Sequence, residues 1–417
     1  MRKKLIIIIV ISSLVISAGI ISFFSFLIIT SLYHKNSFDS RIQGLMANNN
    51  IPSLVGGIVI NDSLIWAKGY GEQPSLDTVY MIGSITKTFT STAILQLNES
   101  GLLDFNEDIN NYLPFDVRNP NYPSRAITPY MLLTHTAGLP TNLYWSLEFY
   151  FDNQTIDWIN NNIDLGGGDI IKFEDRPSLG EFLNESLNPE GEYYDSYNWQ
   201  SRPGSEFLYS NAGFQLLGYL IEEITNQSYI DYIQEHICEP LNMTNTGEYY
   251  TDFGENNAIP YERHNATNIE YPIYNLNVTG AGNLRSTIGD MANYLITFMN
   301  QGKYNENQIL SSQSVDLMHY NHIPLSGTST EGFTINGYGL GWFLFSDNVK
   351  GHGGATPGFS TNIYFKETNE GSFGVILMFN RGSALVYDSE LINNFLPQIN
   401  ALFFEEAENL FQESLSH

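Results

Sequence analysis

The order of apolar and polar positions predicts an α/β body that follows an apolar N-terminal run. Two β-rich runs, "SLVGGIVI" and "SLIWAKGYG", flank a two-residue turn at Asn61 and predict a hairpin. The preceding "SFDSRIQGLMANNNIP" predicts a short helix capped by a serine or an aspartate. After the hairpin, apolar residues recur at three- and four-residue steps, which predicts a helix that begins at Ser84 and ends at Gly101.

The middle of the chain, from about Asp104 to Gly280, is rich in Asn, Tyr and Pro and carries short helical patterns. Its strongest helical signals are "GFQLLGYLIEEI" and "SYIDYIQEHIC". Between Thr141 and Pro203 the pattern is aromatic and only weakly periodic. We therefore expect loops and short helices there, placed over a site.

Strand signals return in the C-terminal part. They are "GYGLGWFLF", "TNIYFKE" and "SFGVILMFN", the last two joined through "TNEG". The final "LINNFLPQINALFFEEAENLF" predicts a helix on the sheet that Pro397 interrupts. No internal repeat and no shift in composition marks a linker, so residues 36–417 are predicted to form one α/β domain with a helical insertion.

The N-terminus predicts a membrane anchor over residues 1–35. "MRKK" is followed by a run without charges from Leu5 to Leu32, and about 20 apolar residues suffice to span a bilayer. The basic residues should stay in the cytoplasm, which makes this a single-pass protein with the rest of the chain on the extracytoplasmic side. The alternative is a signal peptide cleaved at "SAG", although the apolar Ile20–Leu32 would then remain exposed.

Composition narrows the possible functions. The chain has 417 residues, of which 42% are hydrophobic and 14% aromatic, enough to bury a sizeable core. A net charge of −27 repels nucleic acid, so we exclude nucleic-acid binding. The single cysteine, Cys238, forms no intramolecular disulfide and no cysteine-based zinc site. Nothing in the sequence requires a metal or an organic cofactor, and the oligomeric state stays open.

The start of the first helix in the body carries the main chemical signal. Ser84 and Lys87 are three residues apart, which places both on one helical face. A serine needs a base to become a nucleophile, and burial can lower the pKa of a lysine enough for it to serve. The free N–H groups of a helix N-terminus suit an oxyanion. The alternative is an ordinary capped helix with a solvated lysine, since Ser-x-x-Lys occurs about once by chance in a chain of this length.

Two further stretches strengthen the chemical interpretation. "LYSNAGF" places Tyr209 and Asn211 just before a helix, where a tyrosine whose pKa is lowered by a cation can relay a proton and an asparagine can hold an amide. "KGHGGATPGF" places His352, Gly353 and Gly354 on a run that lets a strand edge approach a ligand. Taken singly, these stretches also fit a surface tyrosine and a plain loop.

Together and in this order, the three motifs resemble the serine β-lactamase and penicillin-binding-protein superfamily, in its class C-like branch. The resemblance runs from about Phe38 to Asn380 and includes "LLTHTAGLP", "EPLNMTNT", "AGNLRSTIGDMANYL" and "YGLGW". It implies an α/β (α+β) fold of the β-lactamase/transpeptidase type, an antiparallel sheet flanked by helices.

The resemblance also implies roles for the matching residues. Ser84 would be the acylated nucleophile, and Lys87 and Tyr209 would share the work of general base. Tyr209 would return a proton to the leaving group, and Asn211 would orient the substrate. The oxyanion hole would be formed by the backbone N–H groups of Ser84 and Ala355.

His352, Gly353 and Gly354 would form the substrate-binding edge. His352 stands where β-lactamases usually carry a lysine that holds the substrate carboxylate, and histidine carries less charge at neutral pH. The prediction is therefore a membrane-anchored serine hydrolase that acts on an ester, a small amide or a D-amino-acid peptide. The alternatives are a sensor of β-lactams or muropeptides, a true β-lactamase, and a non-catalytic binding protein.

Three other features are predicted to be structural. The resemblance places His135 of "LLTHTAGLP" in a structural segment, as a buried and hydrogen-bonded histidine. His319 and His322 have no acidic or cysteine partner at metal-ligand spacing. "GYGLGW" lacks the strand–helix setting of a dinucleotide site and is predicted to be a strand.

Overall fold

The computed structural model describes residues 37–72, 74–141, 143, 149–151, 171–172, 176–264, 267–327, 329–330, 332–382 and 388–416. The predicted anchor, residues 1–35, lies outside these ranges and stays a prediction, as does the domain boundary after it. Much of the predicted loop interval from 141 to 203 lies outside them too. Within the described ranges, no helix combines the length and apolarity that crossing a membrane requires.

The described residues divide into two compact units, one within residues 1–49 and the other within residues 50–417. The first unit contains α1, which begins after the cap Ser37 as predicted. The α-helices are α1 (Phe38–Asn48), α2 (Thr86–Glu99), α3 (Pro129–Leu133), α4 (Leu179–Leu187), α5 (Asn211–Thr225), α6 (Tyr229–Ile233), α7 (Ile288–Met299), α8 (Ser312–Met318) and α9 (Leu396–Leu415).

The strands of the main sheet come from the two ends of the larger unit, and short strands lie between them. They are β1 (Ser53–Ile60), β2 (Ser63–Gly71), β3 (Tyr80–Met81), β4 (Phe149–Phe151), β5 (Ile171–Lys172), β6 (Tyr261–His264), β7 (Thr267–Glu270), β8 (Asn275–Leu276), β9 (Arg285–Ser286), β10 (Lys303–Tyr304), β11 (Asn307–Gln308), β12 (Ile323–Pro324), β13 (Ser329–Thr330), β14 (Phe333–Tyr338), β15 (Phe343–Phe345), β16 (Val349–Thr356), β17 (Phe359–Thr368) and β18 (Gly371–Phe379).

The main sheet is antiparallel, and its strand order is β12-β14-β15-β16-β17-β18-β1-β2, with β13 paired to β14. Helices cover both of its faces. Adjacent strand residues point to opposite faces. A Cβ on Gly56 would meet Phe403 of α9, and one on Gly57 would meet Ile288 of α7. The antiparallel sheet flanked by helices is therefore confirmed.

Most predicted elements are confirmed. The first hairpin turns at Asn61, whose φ of 53° is one that asparagine tolerates. Helix α2 ends at Glu99, and Gly101 follows with a φ of 74°. Pro397 lies in the first turn of α9, directly after a π-helical turn at Leu391–Phe395. The hydrogen-bond pattern changes there from π to α, but the backbone stays helical, so the predicted interruption is only a local change.

The prediction of one strand over "GYGLGW" is wrong. β14 ends at Tyr338 and β15 begins at Phe343, and the two strands pair with each other. The chain turns between them through Gly341, whose φ is 80°. A Cβ on Gly341 would lie 2.1 Å from the Ser91 hydroxyl of α2. The glycines thus allow a turn that passes close to α2.

Candidate active site

The nucleophile turn links β3 to α2. Gly83 has a φ of 53° and opens a 3₁₀ turn, Gly83–Ile85, that continues into the helix. Hydrogen bonds to two distant segments fix the residue before this turn. The Ile82 N–H donates to Leu284 O (2.9 Å), and the Thr361 hydroxyl donates to Ile82 O (2.9 Å). Ser84 is half-buried. Within the described residues neither the turn nor α2 has a side-chain cap, so the alternative of an ordinary capped helix fails.

Lys87 is fully buried, which also excludes the solvated lysine of that alternative. Its Nζ lies 2.7 Å from Asn211 Oδ1, 2.7 Å from the carbonyl oxygen of Ala281 and 3.1 Å from Ser84 Oγ. A neutral amine has two N–H donors and one lone pair. The two carbonyl-type oxygens can take both donors, which leaves the lone pair for the Ser84 hydroxyl.

The side chains of Tyr209 and Asn211, at the start of α5, also lie beside Ser84 and Lys87. The Ser210 hydroxyl accepts from the Gly213 N–H (2.9 Å) and caps the helix that Asn211 opens. The side chain of Tyr209 hydrogen-bonds Ser84, and Lys87 Nζ lies 4.9 Å from the centre of its ring.

The protonation of Tyr209 differs from the expectation. From the sequence we expect a cation to lower the pKa of this tyrosine. In the structure burial raises the pKa of Tyr209, and its hydrogen bond to Ser84 offsets only part of that rise. The phenol therefore keeps its proton at neutral pH and can donate it.

Strand β16 brings its backbone to the other side of Ser84. A Cβ on Gly354 would lie 2.0 Å from Ile82 O, and a Cβ on Gly83 would lie 2.9 Å from the backbone nitrogen of Ala355. Only glycines allow so close an approach. The Ala355 amide consequently lies next to the nucleophile turn, and Gly353 lies on the same strand opposite Asn362.

His352 is buried and neutral. Its side chain is 2% exposed, and Nδ1–H donates to the carbonyl oxygen of Gly353 (2.6 Å). Nε2 finds no hydrogen-bond partner among the described residues. Burial, to which the proximity of the Lys87 amine adds, lowers the pKa of His352 to about 3. This position therefore supplies no positive charge at neutral pH.

Sequence reasoning missed the backbone groups of "TGAGNL". Ala281 O accepts from Lys87, Gly280 O accepts from the Thr90 hydroxyl (2.7 Å), and the Leu284 N–H donates to the Thr86 hydroxyl (3.2 Å). The segment holds the first turns of α2 through its main chain. Its two glycines, 280 and 282, were the available signal.

Three other histidines, His135, His319 and His322, make structural contacts in the fold. His135 is buried and hydrogen-bonded, as predicted. His319 packs between aromatic rings, and His322 bonds to Leu317 O and Tyr130. In the part of the chain that the structure describes, no three His, Cys, Asp or Glu side chains are grouped to hold a metal ion.

Comparison with known sequences gives a consistent match. The family model described as Beta-lactamase matches residues 38–393. Protein flp of Staphylococcus aureus (strain COL) is 28% identical over 376 residues, an alignment that covers 88% of this chain. The chain spans 66% of the length of that relative, a little under two thirds.

Solved structures share the fold. The octameric penicillin-binding protein homologue from Pyrococcus abyssi superposes with a TM-score of 0.68 at 24% identity, covering 88% of this chain and 77% of that one. The D-amino acid amidase from Ochrobactrum anthropi SV3, complexed with L-phenylalanine, gives a TM-score of 0.66 at 19% identity and covers 89% and 98% of the two chains. At these identities the likeness establishes the architecture alone.

Proposed function

Because this chain belongs to the beta-lactamase family of serine hydrolases, we propose that it hydrolyses small esters or amides through an acyl-enzyme on Ser84. The observation that carries the proposal is the position of Lys87. Its buried Nζ is 3.1 Å from Ser84 Oγ and is oriented by Asn211 and Ala281. A buried amine held against a hydroxyl is the arrangement that nucleophile activation needs.

In the first step Lys87 takes the hydroxyl proton of Ser84 while Oγ bonds to the substrate carbonyl carbon. The electron pair of the carbonyl moves to its oxygen. The backbone N–H groups of Ser84 and Ala355 stabilise that oxyanion. Asn211 remains bonded to Lys87 through Oδ1 and holds the amine in place, and we assign its amide the role of orienting the substrate.

In the second step the tetrahedral intermediate collapses and the leaving group takes a proton from Tyr209. Lys87, which gained a proton from Ser84, passes it to the tyrosinate, so both residues are restored. Water then attacks the acyl-enzyme, its proton goes to Lys87, and Ser84 Oγ recovers a proton as the acid leaves. The raised pKa of Tyr209 suits this order, because the phenol keeps its proton until the leaving group develops charge.

Neutral His352 favours substrates that do not depend on a carboxylate at that position. A histidine with a pKa of about 3 cannot form the ion pair that a lysine would form. We therefore propose esters, small amides and amides of D-amino acids, the last in line with the D-amino acid amidase of the same fold. Penicillins and D-alanyl peptides, which carry the carboxylate, are expected to react more slowly.

The test is hydrolysis of a matched panel by the full-length chain: D- and L-phenylalanine amides, the two corresponding methyl esters, and benzylpenicillin. The proposal expects turnover of at least one ester or amide, and loss of that turnover in Ser84→Ala. Ser100→Ala, an exposed serine at the end of α2, is the control and should keep full activity. Turnover that survives in Ser84→Ala would contradict the proposal. Fast turnover of benzylpenicillin alone would identify a β-lactamase instead.

We also propose that residues 1–35 anchor the chain, with the hydrolase domain, 36–417, on the extracytoplasmic side. The support is the run without charges that follows the basic "MRKK". Expression of the full chain and of residues 36–417 in matched cells, followed by fractionation, tests it. The anchor proposal expects the full chain to resist extraction from membranes by carbonate, and it fails if the full chain is released or is found shortened near "SAG".

A further inference from the structure

A short segment that contains His135 lies against the backbone of the candidate catalytic tyrosine, Tyr209. The segment His135–Thr141 runs beside Leu208–Asn211. The Leu208 N–H donates to His135 O (2.8 Å), and the Ser210 N–H donates to His135 Nδ1 (3.0 Å). Tyr209 stands between these two donors, so one histidine holds the backbone on both sides of it.

The other end of the segment, at Pro140 and Thr141, also bonds to residues 209–211. The Asn211 N–H donates to Thr141 O (2.8 Å), and the Thr141 hydroxyl donates to the carbonyl oxygen of Tyr209 (3.1 Å). The Ser210 hydroxyl donates to Pro140 O (2.6 Å). The segment therefore fixes both Tyr209 and Asn211, two of the side chains that meet at Ser84 and Lys87.

The hydrogen bonds of the His135 ring define its tautomer. Nδ1 accepts from a backbone N–H, so Nδ1 carries no proton. Nε2 then carries the proton and donates to the Tyr338 hydroxyl (3.0 Å). His135 is 1% exposed, and burial, with Lys87 and His352 nearby, lowers its pKa well below the usual value. Both ring nitrogens are satisfied only in this neutral form.

The ring also contacts the tyrosine directly. The ring centres of His135 and Tyr209 are 4.4 Å apart, with a tilt of 39°. His135 has a φ of 56°, a conformation uncommon for residues other than glycine. Such a backbone persists where surrounding contacts determine it, and it clusters at functional sites.

We propose that His135, as its neutral Nε2–H tautomer, is a positioning residue that holds Tyr209 at Ser84 for protonation of the leaving group. The inference rests on the function proposed above. It separates two steps of that mechanism, because attack by Ser84 uses Lys87, whereas departure of a basic leaving group uses Tyr209. An amide substrate needs that proton, and an ester of an acidic phenol does not.

A matched pair of variants tests the inference in the full-length protein. His135→Asn places its amide oxygen where Nδ1 was and so keeps an acceptor for the Ser210 N–H. His135→Gln keeps a polar group near Tyr338 but loses that acceptor. Both residues tolerate the backbone, since Asn226 and Gln301 have φ values of 55° and 53°. The readouts are kcat and KM for a p-nitroanilide and for a p-nitrophenyl ester with the same acyl group.

We expect His135→Gln to lower kcat for the anilide about a hundredfold, with KM little changed, and to lower kcat for the ester less than about fivefold. His135→Asn should recover most of the anilide activity. Tyr338→Phe, which removes the partner of Nε2, should fall between the two. Equal losses on both substrates in both variants, in step with a lower melting temperature, would show a merely structural histidine and overturn the inference.

Labelling of Ser84 by a fluorophosphonate keeps this failure distinct from failure of the proposed function. If the wild-type chain is neither labelled nor active, the proposed function is wrong and the inference falls with it. If the wild-type chain is active and His135→Gln retains the wild-type ratio of anilide to ester rates, only the inference about His135 is wrong.

Discussion

The two sides of the candidate site are built differently. The helical side comprises Ser84, Lys87, Tyr209 and Asn211, and its polar side chains bond to one another. The strand side comprises residues 352–356 of β16, and it meets the nucleophile turn through main-chain atoms. One side contributes functional groups, and the other contributes shape and amide hydrogens.

This difference indicates which substitutions each side tolerates. On the helical side a changed side chain removes a reacting or orienting group, and a buried partner is left unpaired. On the strand side the side chain of His352 is neutral and donates to the carbonyl oxygen of the neighbouring Gly353, whereas any Cβ at Gly354 collides with Ile82 O.

Lys87→Met should have the largest effect. Methionine fills the same volume but cannot take the Ser84 proton, and it leaves Asn211 Oδ1 and Ala281 O without that donor. We expect kcat/KM for the best ester to fall about a thousandfold or more. Lys303→Met, a half-exposed lysine, is the control and should retain wild-type kinetics. A loss of less than about tenfold in Lys87→Met would show that another group activates the serine.

Gly354→Ala should come second. The added methyl would lie 2.0 Å from Ile82 O, so β16 must move away from the nucleophile turn and take the Ala355 amide with it. We expect about a hundredfold loss in kcat and a loss of about 1–3 kcal/mol in unfolding free energy. A Cβ on Gly289 of α7 meets nothing within 4 Å, so Gly289→Ala is the control. Unchanged kcat in Gly354→Ala would remove the strand side from the mechanism.

His352→Asn should have a small effect on neutral substrates. The asparagine amide can replace Nδ1–H as donor to Gly353 O, and no charge is lost because the histidine is already neutral. We expect kcat/KM for the ester to change less than about tenfold. His236→Asn, a half-exposed histidine, serves for comparison. A loss as large as that of Lys87→Met would break the contrast between the two sides.

Glu262→Gln should alter stability rather than chemistry. Glu262 is 5% exposed and accepts the Gly358 N–H (2.7 Å) at the turn that follows the strand side. Burial is the main cause that raises its pKa to about 7, and Asp388 adds to it. The charged form is therefore disfavoured in the fold, so its contribution to stability is present below the unfolded pKa, about 4.5, and is lost as pH rises towards 7.

The glutamine variant should remove this pH dependence. The free energy of unfolding is measured with urea at about pH 5 and about pH 8. Between these pH values the wild type should lose on the order of 1–3 kcal/mol of unfolding free energy more than Glu262→Gln does. In Glu413→Gln, an exposed control, the difference from wild type should be the same at both pH values. The account of Glu262 is wrong if the two variants behave alike.

The sequence predicted what depends on local pattern. Ser84 and Lys87 are one helical turn apart, so periodicity alone put them on one face, and the hairpin at Asn61 followed from turn chemistry. That Tyr209 and His352 lie near Ser84 and Lys87 was predicted only from the resemblance, because these residues are far apart in the sequence.

What the sequence did not predict depends on main-chain contacts between distant segments. The carbonyl of Ala281 accepts from Lys87 regardless of its side chain, so the residue type carries no signal. The turn at Gly341 was predicted to be a strand. The need for a glycine there comes from the close approach of Ser91, which lies on another element, so the local sequence does not reveal it. The raised pKa of Tyr209 likewise results from burial that only the fold determines.

The most direct test of the central claim is rapid acid quenching of the full-length chain during ester turnover, followed by intact-mass measurement and peptide mapping. The account predicts a mass increase equal to the acyl group, located on the peptide that contains Ser84 and absent in Ser84→Ala. Turnover with the acyl group on a different residue, or with full activity in Ser84→Ala, would contradict it.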